Sequence, residues 1–130
     1  MTIELGMTTA FWCLLILAVL PIVCAGISKA GGDQYDNHAP RAWLAKQEGF
    51  RARAVGAQQN SWEAFALLTA AVVVAHLSAG PQDGVDQLAI GVVAARVLYI
   101  FFYVGDWALA RTMVWVAGFF MTLSIFVAGG

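Results

Sequence analysis

Four long apolar segments run through the chain, separated by short polar stretches. They cover residues 5–27, 64–79, 88–104 and 112–127. An α-helix rises about 1.5 Å per residue, so about 20 residues are needed to cross a bilayer core of roughly 30 Å. The last three segments are shorter than this, so the helices that contain them must include flanking polar residues. The pattern therefore predicts four transmembrane helices in a single domain, at about 5–28, 51–79, 86–105 and 111–128.

The composition agrees with an integral membrane protein. Apolar residues make up 61% of the 130 residues and charged residues only 12%, about half the charged share of a soluble domain. The first apolar segment has no basic residue before it and is followed by Lys29 rather than a cleavage site, so we interpret it as a retained helix and not as a signal peptide. The predicted fold class is an all-α bundle of four transmembrane helices.

Basic residues predict how the bundle is oriented. Most of them lie in or beside the loop at 30–49, where Gly31 and Gly32 end the first helix and Pro40 favours a helical turn starting near Arg41. The charged residues in the connection between the second and third helices are all acidic. By the positive-inside rule the loop at 30–49 is cytoplasmic and both termini lie outside. No basic run indicates nucleic acid as a partner.

Two helices carry polar side chains into the membrane, and each set recurs at intervals of three and four residues. Residues at this spacing share one helix face. The stripe on the second helix contains Arg53, Gly56, Asn60, Glu63 and Leu67, and the stripe on the third contains Arg96, Tyr99, Tyr103 and Asp106. Counted from the cytoplasmic side, the two stripes match layer by layer.

Glu63 and Arg96 lie deepest in these stripes. An ionised side chain at the centre of a bilayer costs about 2.5 to 3.5 kcal/mol on insertion scales and normally finds a partner. We therefore expect Glu63 to pair with Arg96, either within one chain or between neighbouring chains. Cys13 and Cys24 lie too far apart on the first helix to form a disulfide with each other and are interpreted as packing residues, and no metal site is predicted.

These stripes resemble a known membrane family. The run AQQNSWEAF at 57–65 and the run ARVLYIFFY at 95–103, followed by Arg111, resemble the MAPEG family, the membrane-associated proteins of eicosanoid and glutathione metabolism. The resemblance covers all four helices and is closer to the small bacterial branch than to the animal enzymes. It combines two motifs in the family's order, whereas either motif alone would be weak.

The resemblance implies a homotrimer of four-helix protomers in a bacterial inner membrane. Glutathione would bind as co-substrate between neighbouring protomers near the cytoplasmic side, and lipophilic small molecules would enter from the bilayer. Arg111 would be the catalytic arginine beside the sulfur. By the same resemblance and by their charge, the residues that bind or support glutathione would be Arg53, Asn60, Glu63, Arg96, Tyr99, Tyr103 and Arg41.

The sequence departs from the family pattern at three places. Members that use glutathione carry an arginine four residues before the asparagine, where this chain has Gly56. The proline that usually follows the glutamate is replaced by Ala66 and Leu67, so the second helix should run without a kink. Arg111 lies eight residues after Tyr103 instead of seven, so the match requires a one-residue slip in the turn.

Each polar residue also has a purely structural interpretation. Glu63 and Arg96 could be a buried pair that fixes helix register, and Asn60 could bond a neighbouring helix. The tyrosines could be interface aromatics, and Arg111 could be an ordinary positive-inside residue at the first position of the last helix.

Three functions from different classes follow from these interpretations. The first is a glutathione-dependent membrane transferase or peroxidase acting on lipophilic electrophiles by thiolate attack. The second is a non-catalytic protein of the same fold, such as a scaffold, a lipid-binding protein or an accessory subunit. The third is a small proton-coupled multidrug transporter, which would require an acidic residue in the middle of the first helix. The first helix has none there, and Glu4 lies at the end of the chain.

The predicted orientation can be checked by labelling a single engineered cysteine. Gln34→Cys places a thiol in the loop at 30–49, which we expect to react with a membrane-impermeant maleimide only after the cells are opened. Cys13 and Cys24 are first replaced by alanine so that the engineered thiol is the only one. If the thiol is labelled in intact cells, the loop lies outside and the orientation is opposite to the predicted one.

Overall fold

A computed structural model of the protein describes residues 6–31 and 34–129. These residues form helices and no strand. The helices are α1 (Thr9–Lys29), α2 (Pro40–Ala45), α3 (Phe50–Ala79), α4 (Asp83–Val104) and α5 (Ala108–Val127). All except α2 are long and apolar enough to cross a membrane. The predicted all-α bundle of four transmembrane helices is confirmed, while the expectations that concern Glu4, Leu5 and Gly32 fall outside the described residues.

The ends of the helices follow from local sequence signals. The hydroxyl of Thr8 accepts a hydrogen bond from the Phe11 backbone N–H at 3.3 Å and so caps the start of α1. Helix α3 lies between two glycines with positive φ, Gly49 (63°) and Gly80 (73°). Residues with a Cβ atom rarely adopt this backbone conformation. Helix α3 is continuous over its 30 residues, as expected from the missing proline.

The bundle packs through small and branched side chains. Helix α1 packs most extensively on α3, and α4 packs most extensively on α5. Close approach of helix backbones through small residues is typical of membrane bundles, because lipid supplies little hydrophobic drive for helices to associate. The main core cluster contains Ala10, Cys13, Leu17, Leu68, Ala71, Val72, Ala75, Val85, Ala89, Val92 and Ile125.

At the end predicted to face outside, α1 is tied to α3 and α4 by polar contacts. His76 on α3 is buried, lies 2.9 Å from the Thr8 hydroxyl through Nε2, and stacks on the Phe11 ring at 4.1 Å. The Asp86 carboxylate on α4 accepts a hydrogen bond from the Ala10 N–H at 2.9 Å. These contacts satisfy backbone and side-chain groups at the start of α1, where intrahelical partners are missing.

At the opposite end, two arginines of the first turn of α3 cap its neighbours. The Arg51 guanidinium donates to the Ala30 carbonyl after α1 at 3.0 and 3.3 Å. Arg53 Nε donates to the Val104 carbonyl, the last residue of α4, at 3.0 Å. Cations at helix C-termini are favourable because the helix dipole is negative there. Helix α3 is therefore fixed against both α1 and α4.

The loop at 30–49 contains the short helix that the sequence indicates. Pro40 is its first residue, a position where the missing N–H of proline has no cost. Trp43 packs edge-to-face on Tyr35 with ring centroids 5.2 Å apart, and Lys29 lies over the same tyrosine ring at 4.4 Å. These contacts hold the loop against the end of α1.

Two leucines of α3 allow the effect of packing inside the bundle to be compared with the effect of contact with lipid. Leu68 is fully buried, whereas Leu77 is 61% exposed. We expect Leu68→Ala to lower the free energy of unfolding by about 2 kcal/mol, because it leaves a cavity that neighbouring helices fill only in part. Leu77→Ala, the matched control, should change it by less than about 0.5 kcal/mol. Thermal unfolding in lipid nanodiscs measures both, and equal effects would contradict the predicted packing.

Candidate functional site

A pocket between α3, α4 and α5 brings together four of the residues predicted to form the site. Its volume is about 240 Å³, and it is the cavity that we call the anion pocket. Asn60 comes from α3, Tyr99 and Tyr103 from α4, and Arg111 from α5. Residues more than fifty positions apart in sequence therefore converge on one space. The full lining is Asn60, Tyr99, Tyr103, Arg111, Thr112 and Trp115.

Four side chains in and beside this pocket form a continuous stack. The Arg96 guanidinium carbon lies 3.9 Å from the centroid of the Tyr99 ring. Tyr99 meets Tyr103 edge-to-face, with centroids 5.6 Å apart. Arg111 lies over the Tyr103 ring at 4.5 Å. A cation over an aromatic face is attracted by the ring quadrupole, and the attraction strengthens where water is scarce.

Arg111 lies in the first turn of α5, not at its first position as the sequence indicates. Helix α5 begins at Ala108, and its first turn has no acidic residue. The N-terminus of a helix carries a partial positive charge, so a cation there is electrostatically unfavourable unless an anion is close. The combined charge of Arg111 and the α5 N-terminus makes this part of the pocket attractive to anions.

The turn between α4 and α5 has an unusual backbone conformation. Asp106 has φ of 65°, which makes it the only residue other than glycine with positive φ among those the structure describes. The turn is closed by the Trp107 N–H, which donates to the Phe102 carbonyl at 2.7 Å. A left-handed residue reverses the chain within a short distance, and aspartate tolerates this conformation better than most residues. After this turn the Arg111 guanidinium lies over the Tyr103 ring.

Gly56 provides the space in which the Tyr103 ring sits. A Cβ atom built on Gly56 would lie 2.8 Å from Tyr103 Cζ and would overlap the phenol oxygen. Gly56 is the position at which the resemblance noted in the sequence leads one to expect an arginine. In this chain the tyrosine ring occupies the space beside α3 that a side chain at position 56 would need.

The expected pairing of Glu63 with Arg96 is not present within one chain. Arg96 is 3% exposed and donates through Nη2 to the Ser61 hydroxyl at 3.4 Å, whereas Glu63 is exposed and accepts from Asn60 Nδ2 at 3.3 Å. The physical reason is helix geometry. Ser61 lies on the face of α3 that is buried in the bundle, and two further residues turn Glu63 by roughly 200° about the helix axis. A pairing between chains stays a prediction.

Arg53 and Arg41 lie outside the anion pocket of the protomer. Arg53 uses Nε to cap the last carbonyl of α4, as described above. Arg41 lines a separate groove between α2 and the other side of α3, together with Gln58, Gln59 and Trp62. In one chain, therefore, neither arginine joins the four residues that meet in the pocket.

A second cavity, the deep cleft, adjoins the anion pocket on the same side of the bundle. Its volume is about 270 Å³. Asn60 and Trp115 line both cavities. Glu63 and Arg96 also line the deep cleft, so the two charged groups share one cavity without forming an ion pair. The other lining residues are Ala64, Leu67, Val92, Gly118, Phe119 and Thr122.

Two lining residues of the anion pocket and one polar partner of Arg96 were not predicted from the sequence. Ser61 is the hydrogen-bond acceptor of Arg96, and Thr112 and Trp115 line the anion pocket. Trp115 follows Arg111 by four residues and therefore shares its face of α5, which is the sequence signal that identifies it. Ser61 has no such signal, because its partner lies on another helix.

The geometry fits the binding of an anion more closely than the binding of a metal ion. The anion pocket offers a guanidinium, two phenols, an amide and a hydroxyl, most of them hydrogen-bond donors. Among residues 6–31 and 34–129, no group of three His, Cys, Asp or Glu side chains is placed to hold a metal.

The contact between Gly56 and Tyr103 predicts that alanine destabilises the protein at position 56, and Gly26 serves as the control. Gly26 on α1 has open space around its Cβ position, so Gly26→Ala should stabilise the protein by about 0.5 kcal/mol by reducing the freedom of the unfolded chain. Gly56→Ala should instead destabilise it by about 1 to 3 kcal/mol, because Tyr103 must move. Thermal unfolding and near-ultraviolet circular dichroism measure the two variants. If Gly56→Ala stabilises the protein, the Tyr103 ring does not need the space beside residue 56.

Comparison with known protein families gives one match. The model of the MAPEG family matches residues 9–130, which is nearly the whole chain. No curated protein and no solved structure matches the chain. The match spans all four transmembrane helices and contains the residues of the anion pocket. The chain is a multi-pass integral membrane protein and belongs to the MAPEG family.

Proposed function

We propose that this protein is a glutathione-dependent membrane transferase or peroxidase that acts on lipophilic electrophiles. The observation that carries the proposal is the convergence of Asn60, Tyr99, Tyr103 and Arg111 on one pocket, with Arg111 stacked on Tyr103. Membership of the MAPEG family supports the proposal, because glutathione transferases and peroxidases occur in this family alongside non-catalytic members.

The proposed role of Arg111 follows from thiol chemistry. A free thiol has a pKa of about 8.5, so only a small fraction is thiolate at neutral pH. A guanidinium within about 4 to 6 Å favours the charged form and lowers such a pKa by about one to three units. The thiolate is the nucleophile. Arg111 and the N-terminus of α5 would thus hold the glutathione sulfur in its reactive form.

The remaining polar groups suit the other parts of glutathione. Glutathione carries an ammonium group, which fits the Glu63 carboxylate, and two carboxylates, which fit arginine and phenol donors. Asn60 already contacts Glu63 at 3.3 Å and lines the anion pocket, so it connects the proposed ammonium site with the thiolate site. Tyr99 and Tyr103 would donate to a carboxylate or to the cysteinyl part.

We further propose that the active form is a homotrimer. Glu63 is exposed on a transmembrane helix of the isolated protomer. Glu63 also borders the deep cleft, but a carboxylate left exposed at membrane depth is costly, and such groups usually face a bundle interior. A neighbouring copy would cover Glu63 and could bring Arg53 or Arg41 from its own surface towards the ligand. The same arrangement would lie in a bacterial inner membrane, with the loop at 30–49 cytoplasmic and both termini outside.

The proposed reaction is nucleophilic attack by sulfur. With an electrophilic carbon, a sulfur–carbon bond forms while the bond from that carbon to its leaving group breaks and the leaving group takes the electron pair. With a lipid hydroperoxide, sulfur attacks the oxygen–oxygen bond and releases an alcohol after protonation. A second glutathione then attacks the oxidised sulfur, so that one disulfide and one water form in total. Arg111 stabilises the thiolate in both cases.

A second candidate function is a non-catalytic protein of the same family. The observation that favours it is Gly56, which replaces the arginine of the family pattern and leaves its space to Tyr103. Arg53, the nearest remaining arginine on α3, already donates to Val104. Glutathione would then meet one fewer carboxylate partner than in relatives that use it.

Titration of glutathione into the purified protein tests the proposal. Native mass spectrometry in parallel counts chains and bound glutathione. We expect saturable binding to a trimer and an ultraviolet thiolate signal at neutral pH. Arg111→Ala should abolish the thiolate signal, because the thiol pKa rises by about one to three units. Glu63→Gln should weaken binding by about tenfold or more, since a charge-assisted hydrogen bond is lost.

Two control variants make these results specific. Arg111→Lys keeps the positive charge and should restore part of the thiolate signal. Asp83→Asn removes a carboxylate at the start of α4, roughly 24 Å along the helix from Tyr99, and should leave binding unchanged. No binding at millimolar glutathione would reject the transferase and favour the non-catalytic candidate.

A further inference from the structure

A groove between the loop at 30–49 and the start of α3 lies apart from the two cavities described above. Its volume is about 400 Å³, and we call it the loop groove. It is lined by Trp43, Lys46, Gln47, Glu48 and Arg51. None of these residues lines the anion pocket or the deep cleft. The proposed binding of glutathione therefore does not account for the side chains of the loop groove.

The lining of the loop groove carries a net positive charge. Lys46 and Arg51 are cations and Glu48 is a carboxylate, so the sum is one positive charge. Lys46 and Glu48 are exposed. A guanidinium has five N–H donors, and Arg51 donates to the Ala30 carbonyl through only two of its nitrogens, Nε and Nη2. Arg51 can therefore cap α1 and bind an anion at the same time.

The length of α3 places the loop groove near the phospholipid headgroups. Helix α3 has 30 residues and is therefore about 45 Å long. A bilayer measures about 30 Å across its hydrocarbon core and about 40 to 45 Å with both headgroup layers. Arg51 is the second residue of α3. Its guanidinium therefore lies near the headgroup layer at the end of the bundle that is predicted to be cytoplasmic.

Two aromatic side chains at the groove also suit this depth. Trp43 lines the groove and is held in place by its edge-to-face contact with Tyr35. Tryptophan is enriched where a membrane meets water, because its ring is apolar and its N–H is polar. Phe50 is 37% exposed, and its ring centroid lies 4.5 Å from the Arg51 guanidinium carbon. An exposed apolar ring beside a cation matches the boundary between acyl chains and phosphates.

We propose that the loop groove binds the headgroup of an anionic phospholipid. The phosphate accepts hydrogen bonds from Lys46 and Arg51, which are charge-assisted and therefore strong. The acyl chains pass Phe50 into the bilayer. Basic pockets at the cytoplasmic ends of transmembrane helices bind anionic headgroups in other membrane proteins. The bound lipid holds the loop at 30–49 against the membrane. This binding goes beyond the proposed function and requires no glutathione.

Native mass spectrometry of the delipidated protein in a neutral detergent tests the binding. The protein is titrated with phosphatidylglycerol, which has a net negative charge, or with phosphatidylcholine of the same acyl chains, whose choline cancels the phosphate charge. We expect phosphatidylglycerol to bind about tenfold more tightly, because only its net charge is opposite to that of the groove. Glycerol phosphate, which lacks acyl chains, should not displace the lipid at equal concentration.

Three variants locate the binding. Lys46→Gln should weaken the binding of phosphatidylglycerol about fivefold, because each cation at the membrane surface adds to the attraction. Glu48→Gln should strengthen it about threefold, because a like charge beside the phosphate is removed. Arg41→Gln, the matched control, removes a cation of the same loop that lines a different groove and should change it less than about twofold. Thermal unfolding without lipid confirms that each variant is folded.

Several outcomes would overturn the proposal. Equal binding of phosphatidylglycerol and phosphatidylcholine would show that the groove does not select an anionic headgroup. Equal losses in Lys46→Gln and Arg41→Gln would assign the binding to the overall charge of the loop and not to the groove. Displacement by glycerol phosphate at equal concentration would identify a site for a soluble phosphate. Unchanged binding in both Lys46→Gln and Glu48→Gln would place the lipid elsewhere on the protein.

Discussion

The Arg96 guanidinium lies inside the helix bundle, and the surrounding structure is organised by the need to satisfy it. A charged group in a membrane interior is tolerated only where polar partners reduce its cost. Ser61 gives it a hydroxyl from α3, and Tyr99 gives it an aromatic face from its own helix. The guanidinium thereby fixes α3 against α4. Its Nε is buried and has no hydrogen-bond partner among the described residues, and other parts of the side chain border the deep cleft.

From Arg96 the stack extends through Tyr99 and Tyr103 to Arg111 on the last helix. A positive group at each end of two aromatic rings keeps the guanidinium groups apart while each contacts a ring face. The anion pocket lies beside Tyr103 and Arg111, and the deep cleft lies beside Arg96. One row of side chains thus supports both cavities, so changes to either tyrosine should affect both.

Two departures from the family pattern have local structural explanations. Asp106 has a left-handed conformation in the turn before Arg111, and the guanidinium of Arg111 lies over the Tyr103 ring. The glycine at position 56 leaves room for the Tyr103 ring. The first departure leaves Arg111 in contact with Tyr103, and the second allows Tyr103 of α4 to approach the backbone of α3 closely.

The sequence by itself determined the class of protein, the number of transmembrane helices and four of the six residues that line the anion pocket. Apolar length fixes the helices, because a bilayer core demands about 20 apolar residues per crossing. Helical periodicity places Asn60 with the α3 stripe and Tyr99 with Tyr103 on α4. These properties are local, so they can be read along the chain.

Only the tertiary structure decided which polar groups meet. Periodicity gives the face of each helix but not its rotation against a neighbour, so it paired Arg96 with Glu63 where the protomer has Ser61. It likewise could not show that Arg53 caps α4 or that Trp115 joins the two cavities. The physical reason is that helix rotation is set by packing of small residues such as Ala57 and Gly56, whose contacts come from distant parts of the chain.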